Sequence, residues 1–424
     1  VGRAHGRGVI DSPGTRRASG TGTAAAGPLP PAKVEPEIPI PHPANITLSV
    51  SPWAGIIAIA TGEHYDWATT ALAQAGFHKR DDGTHVLPPN DQHDPNARVG
   101  TLVRCAERHQ ASVSFSTRHY IGDVAHEIAA QMPGQWKSAV EVYSHPVWPR
   151  DLLDWLWDKG ELARIIREQS VPYAATLTSA DGVTLLLMER HGHSSGYVAG
   201  ALSPERLNEN TDHTHAPRDL VLPDSPALAA RLLADRLLPA CRHALHTWRL
   251  TTVSAALDRL HQEFASFTAA TDSRRFSDPP PSAEETTLSL ADVFRDHAWN
   301  TFEDIFDTAP ALLDSCRPAR SPWPEDADIL PMLREALHQG EEVRASWRSQ
   351  LRTRRESPKG LAPPSAPLRR RHHEKVWPAI GVWLAHRDTF LRQARAATPP
   401  TRSPAVPARV PPALPARPGT PPHR

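Results

Sequence analysis

The period of apolar and polar positions changes several times along the chain, and each change marks an element. "GIIAIATG" is a short apolar run and reads as a strand. "YDWATTALAQAGF" sets Trp67, Leu72 and Ala75 on one side and stops at Gly76, which predicts a helix and its end. "THVLP" reads as a short strand. "DPNARVGTLVRCAERHQ" opens with an Asp cap and a first-turn proline, then runs as a helix. "ASVSFS" alternates like a half-buried strand, "IGDVAHEIAAQM" is helical and stops near Pro133-Gly134, and "SAVEVYS" returns to a strand. "WPRDLLDWLWDKGELARIIREQS" predicts a helix that breaks at Gly160. Three strand-like runs follow: "YAATLTS", "VTLLLMER" and "YVAGALS". Ala180-Asp181-Gly182 predicts a tight turn between the first two. The three together predict an antiparallel meander.

Past residue 225 the pattern turns helical and stays so. Ser225-Pro226 is a cap and first-turn signal, and Leu228, Leu232, Leu238, Cys241 and Leu245 keep roughly helical spacing, with a kink expected at Pro239. A second helix, capped by Thr252, carries Val253, Leu257, Leu260, Phe264 and Phe267. Helical patterns recur at 288–307, 328–354 and 372–395. The fold class expected is α+β (or α/β): a mixed α/β domain over 44–205, then an all-helical region. Within the latter, 206–276 predicts a helical hairpin packed on or following the α/β domain. Residues 286–397 predict a basic helical region interrupted by a Pro-rich linker near 357–368.

Composition refines the ends. Residues 1–43 are rich in Gly, Ala, Pro and Thr with little periodicity, and 398–424 are rich in Pro and Arg; both are expected to be disordered. The Ala, Arg and Pro bias is that of a high-GC bacterial genome. The three cysteines are far apart and form no C-x-x-C, which argues against a disulfide framework or a Cys-rich zinc module and fits a cytoplasmic protein. No apolar run has the length of a membrane span, so no membrane association is expected.

Formal net charge is zero, but it is unevenly placed. Residues 341–395 hold thirteen Lys/Arg against five Asp/Glu, a net of +8, and residues 44–340 carry −14. An acidic body is thus joined to a basic C-terminal region. Arg344, Arg348, Arg352 and Arg355 recur along one helical face beside Trp347 and Leu351, and Arg369-Arg370-Arg371 follow. Such a stripe can neutralise phosphates along a nucleic acid or meet an acidic protein surface. It can also be simply solvated, or dock on the acidic body of its own chain. No zinc finger, recognition helix or RNA-binding motif accompanies it, so contact would be independent of sequence. The tail repeats P-x-x-P-x-R, ending at Arg409 and Arg417, which resembles ligands of SH3-type domains; a flexible cationic spacer is the plainer reading.

The remaining chemistry centres on "HGHSSGYVAGAL". Gly192 to Gly196 satisfies G-x-S-x-G, and the pentapeptide resembles the elbow of α/β-hydrolases over those five residues. That elbow needs a strand, a sharp turn carrying Ser194, then a helix. Asp212, Asp219, His213 and His243 are the candidate triad partners. The following run is strand-like, so a hairpin loop accounts for both flanks. His191 and His193, with His213 and His215, could instead supply zinc ligands. With 23 histidines in the chain, such pairs arise readily by chance. His145, near Tyr143 and Asp151, is a candidate general base. In "ATGEHYDW", Gly62 could admit a phosphate at a helix start, but Glu63 and Asp66 would repel it, and Asp66 as an ordinary cap is the expectation. Trp148, Trp155 and Trp157 line a pocket or fill a core, and the core is the expectation.

No cofactor is expected. The sequence points to a non-enzymatic cytoplasmic binding or regulatory protein that contacts nucleic acid or an acidic partner through its basic C-terminal helices. A hydrolase using Ser194 or a histidine-bound metal is the alternative, and a structural or assembly protein a third.

Overall fold

The structure is a computed structural model describing residues 43–87, 94–190, 196–207, 216–275, 283–355 and 366–400. Its first half is mixed α/β and its second half helical. The expected disordered ends lie outside the described residues, save for 43 and 398–400.

The first half holds two five-stranded sheets. In the first, β1 (Ala44–Ser51) lies between β2 (Gly55–Thr61), which it meets antiparallel, and β5 (Ala111–Phe115), which it meets parallel. β4 (His85–Leu87) and β3 (His78–Lys79) complete the far edge. β1 is not among the strands expected from the sequence, although Ile46, Leu48 and Val50 alternate strictly with polar residues. Helices α1 (Tyr65–Gln74) and α2 (Pro95–Arg108) cover one face, burying Ala68, Ala71, Leu72, Leu102 and Cys105 against Ile46, Leu48, Ala58 and Ala60. As expected, Asp94 caps α2 by accepting the Asn96 amide at 3.0 Å. Asp66 does not cap α1; it sits inside the first turn, where its charge suits the helix dipole.

Alternation along β2 decides the layering. Ala58 and Ala60 face α1 and α2, while Ile57 and Ile59 belong to a second core with α3 (Ile121–Gln131). That core continues into the second sheet, in the order β10-β9-β8-β7-β6, with every pairing antiparallel. Its strands are β6 (Trp136–Val142), β7 (Tyr173–Ser179), β8 (Thr184–Glu189), β9 (Tyr197–Leu202) and β10 (Leu220–Leu222). The meander expected over 173–202 is its centre. Gly182 turns β7 into β8 with φ +89°, a conformation that glycine adopts without strain. Leu185 and Leu187 face α3, while Leu186, Met188 and Val198 face α4 (Glu161–Glu168). The break expected at Gly160 is present: a 3-10 turn over Trp148–Asp154 precedes it, and α4 starts directly after it with Gly160 at its N-cap.

The hairpin expected within 206–276 is instead one almost unbroken helical run. α5 (Pro226–Leu232) passes through a single π-helical segment, Leu233–Leu237, into α6 (Leu238–Arg275). Pro239 has no amide hydrogen for the Asp235 carbonyl, and widening the preceding turn accommodates that loss without ending the helix. Thr252 therefore lies mid-helix. Leu238, Cys241 and Leu245 of α6 belong to the sheet core, and Val253, Leu257 and Leu260 to the helical core. One helix is shared by both.

The helical core is completed by α7 (Ala283–Ser315), α8 (Ile329–Arg355), α9 (Ala366–Ala385) and α10 (Arg387–Ala396). Phe302, Trp383 and Phe390 are its largest fully buried side chains. Gly340 on α8 lets Phe306 of α7 approach closely, since a Cβ there would lie 2.5 Å from the ring. No helix among the described residues is long and apolar enough to cross a membrane.

Candidate nucleic-acid interface

The basic stripe divides in two when its residues are followed into the bundle. Arg344 is only 8% exposed. Its Nη1 bonds Asp307 of α7 at 3.1 Å, its Nη2 bonds Glu341 at 2.5 Å, and its guanidinium stands 4.7 Å from the Phe306 ring centroid. Arg344 is thus engaged inside its own chain. Arg348 is exposed beside Glu303, whose pKa burial raises and the nearby Arg348 and Arg344 lower in part. Arg352 is exposed one turn further on. The side chain of Arg355 lies outside the described residues. On α9, Arg369 and Arg371 are exposed and Arg370 is half-buried. Among the described residues, Arg352, Arg369 and Arg371 enter no ion pair.

Three aromatic rings that the sequence did not bring together meet at this face. Trp347 of α8 stacks on His372 of α9, with ring centroids 4.5 Å apart and planes at 14°. Trp299 of α7 meets the same imidazole edge-on at 4.5 Å and 82°. Burial, helped by His373 and Lys375, pushes the His372 pKa down to about 4. It is thus held as a neutral ring. His373 turns the other way and pairs with Asp296 of α7 at 3.3 Å. Lys375 lies exposed one turn beyond Arg371. The triple arginine and Trp347 beside the arginine stripe marked this neighbourhood in the sequence; "HH" belongs to no motif, and Trp299 is far away along the chain.

The other candidates fall elsewhere. Ser194, His191, His193, His213, His215 and Asp212 lie outside the described residues. The strands flanking the first three are described, and they pair antiparallel from Thr184↔Leu202 to Glu189↔Tyr197. The connection thus joins two antiparallel strands, where an elbow leads from a strand into a helix. Arg118 fastens both ends of this connection, donating to the Gly196 carbonyl at 2.6 Å and the Arg190 carbonyl at 3.1 Å. Beneath it Glu189 is buried, accepts the Tyr173 hydroxyl at 3.0 Å, and has its pKa raised by burial. Asp219 accepts the Leu162 amide at 2.8 Å, capping α4 from a distance, and burial raises its pKa to about 7. His243 meets the Pro399 carbonyl at 2.7 Å.

The Nδ1 of His145 accepts the Val147 amide at 3.3 Å, a local turn contact, and Tyr143 bonds Glu141 instead. Trp157 is core, at 8% exposure, but Trp148 is 46% exposed and meets Tyr65 at 5.7 Å. No group of three or more His, Cys, Asp or Glu suited to a metal ion occurs among the described residues.

Comparison of the chain with protein-family models, curated proteins and solved structures found no match. The functional reading therefore rests on the geometry of the basic helices alone.

Proposed function

We propose that the chain is a non-enzymatic binding or regulatory protein whose basic C-terminal helices hold nucleic acid by its phosphates. The observation that carries this reading is the set of exposed arginines on two neighbouring helices: Arg348 and Arg352 on α8, Arg369 and Arg371 on α9. Between 344 and 355 the sequence has five arginines and no acid; Asp307 and Glu341 offset Arg344 and Glu303 lies near Arg348, while Arg352 enters no ion pair among the described residues. Cations held on rigid helices displace condensed counterions from a duplex, which favours binding at low salt and gives little preference for sequence. A cytoplasmic protein acting on intracellular nucleic acid accords with the free cysteines Cys105, Cys241 and Cys316.

The test is fluorescence anisotropy of a short labelled duplex with the full chain and with the triple variant Arg348→Ala, Arg352→Ala, Arg369→Ala. The reading expects low-salt binding that weakens at least tenfold in the variant. No binding by the native chain at low salt would remove it.

A further inference from the structure

A cavity of about 350 Å³ opens between α8 and α9. That is the size of a site for one small ligand. Its lining is chemically mixed in an ordered way. Trp347 and His372 supply an aromatic step. His372 is 6% exposed, and its Nε2 has no hydrogen-bond partner among the described residues. Arg371 and Lys375 stand four residues apart on α9, both exposed, so two like charges share one face of the helix. Like charges at this spacing destabilise a helix unless an anion lies between them. From α8, Ser346 and Gln350 add a hydroxyl and an amide, bonded to each other at 3.2 Å. Glu342 adds an acceptor.

An aromatic surface, a pair of cations and a few neutral donors and acceptors match one ligand chemistry well. A planar base can lie against the indole, its edge can meet the amide and carboxylate, and its phosphate can sit between the two cations. A plain anion would leave the aromatic step unused, and a plain apolar ligand would leave Arg371 and Lys375 with Glu342 as the one acid in the lining.

We infer that the α8–α9 cavity binds a nucleoside phosphate, with the phosphate on Arg371 and Lys375 and the base against Trp347. This rests on the reading of the basic helices as a nucleic-acid surface and adds to it a site for an unpaired nucleotide, since a base inside a duplex cannot reach the indole. The nucleotide can be free or belong to a single strand.

Calorimetric titration of the full chain with adenosine 5′-monophosphate tests it, with adenosine and inorganic phosphate as partial probes. Measurable binding of the monophosphate is expected, with each partial probe at least tenfold weaker. Trp347→Leu and the pair Arg371→Ala, Lys375→Ala should each weaken it tenfold or more with an unchanged circular-dichroism spectrum. Trp347→Phe, which keeps a ring, should restore most of the affinity. Competition by a single-stranded oligonucleotide would identify the strand as the source, and its absence the free nucleotide. Either supports the site. Failure of the monophosphate to bind, or equal binding by Trp347→Leu, overturns it. If a duplex is still bound in that case, only the cavity inference falls; if the native chain binds no nucleic acid at all, the broader reading falls with it.

Discussion

The sheet-bearing half and the helical half bury polar groups to different ends. In the sheet-bearing half, buried and half-buried polar groups fasten turns and helix ends, often from far along the chain. Arg118 closes a hairpin connection, Asp219 caps a helix from a distance, and Ser51 bonds Asp123 at 3.1 Å and the Ala54 amide at 3.0 Å. In the helical half they join separate helices. Arg344 ties α8 to α7, His373 ties α9 to α7, and Arg387 of α10 pairs with Asp258 of α6. Asp326 accepts Arg392 and Gln393 of α10, and the charge-assisted bonds from Arg392 hold its pKa down. Strand pairing supplies the long-range order of a sheet, whereas a bundle of helices joined only by apolar packing needs such bonds to fix its register.

The largest test of this contrast concerns α6, which enters both cores. Phe302→Ala in the helical core should cost about 3–5 kcal/mol, and Leu187→Ala in the sheet core about 2–5 kcal/mol. Because α6 couples the cores, each variant should still unfold in a single denaturant transition, with a lower midpoint. Two separated transitions in either would show that the halves fold independently.

Arg118→Leu comes next. It removes two charge-assisted bonds to carbonyls and leaves buried Glu189 without its nearby cation, at roughly 2–3 kcal/mol. Trypsin cleavage after Arg190, followed by gel electrophoresis, reads the effect directly. Faster nicking is expected; an unchanged rate would mean that the fastening is not needed.

A third effect is pH dependence. His372 has a folded pKa of about 4 against the ordinary 6.5, and burial lowers those of His246 and His85 in the same direction. At these histidines the unfolded chain therefore binds more protons below pH 6.5, so their contribution to stability is full above that value and is lost as the pH drops toward 4, opposite in sign to that of the raised carboxyl Asp219. At pH 5 the loss from His372 alone is about 2 kcal/mol. Thermal unfolding at pH 7 and pH 5 should show a smaller difference in His372→Phe than in the native chain. An equal difference would place the sensitivity elsewhere.

The smallest effects separate two arginines that the sequence put on one stripe. Arg344→Ala should destabilise by about 1–2 kcal/mol, because it removes both the packing on Phe306 and the ion pairs. Arg352→Ala should stay within roughly 0.5 kcal/mol. Chemical denaturation of both checks this, and equal values would mean that the buried position of Arg344 contributes nothing.

How much of the fold and site is legible in the sequence differs between the halves for physical reasons. Strands announce themselves locally, so the meander and the turn at Gly182 can be read from a few residues each. β1 carries that local signal too, Thr47 and Ser49 alternating with Ile46, Leu48 and Val50, but it abuts the proline-rich stretch before residue 44 and is easily taken as part of it. The long helix through Pro239 is hidden because a proline usually ends or kinks a helix, and a single wide turn leaves no sequence mark. The arginine stripe is legible as a helical face, but not which arginine faces inward. That depends on Phe306, Asp307 and the closeness Gly340 allows, all tertiary facts. The Trp347–His372–Trp299 stack needs three helices to meet, and no spacing along one segment encodes it.

The central claim is that the exposed cations of α8 and α9 neutralise nucleic-acid phosphates. The most direct measurement is the affinity for a labelled duplex between about 50 and 200 mM salt, for the native chain and the Arg348, Arg352, Arg369 triple variant. A linear fall of log affinity with log salt is predicted, with the slope shallower in the variant by roughly 2–3, about 0.9 for each phosphate no longer neutralised. An identical slope in the two proteins, or no binding at the lowest salt, would contradict it.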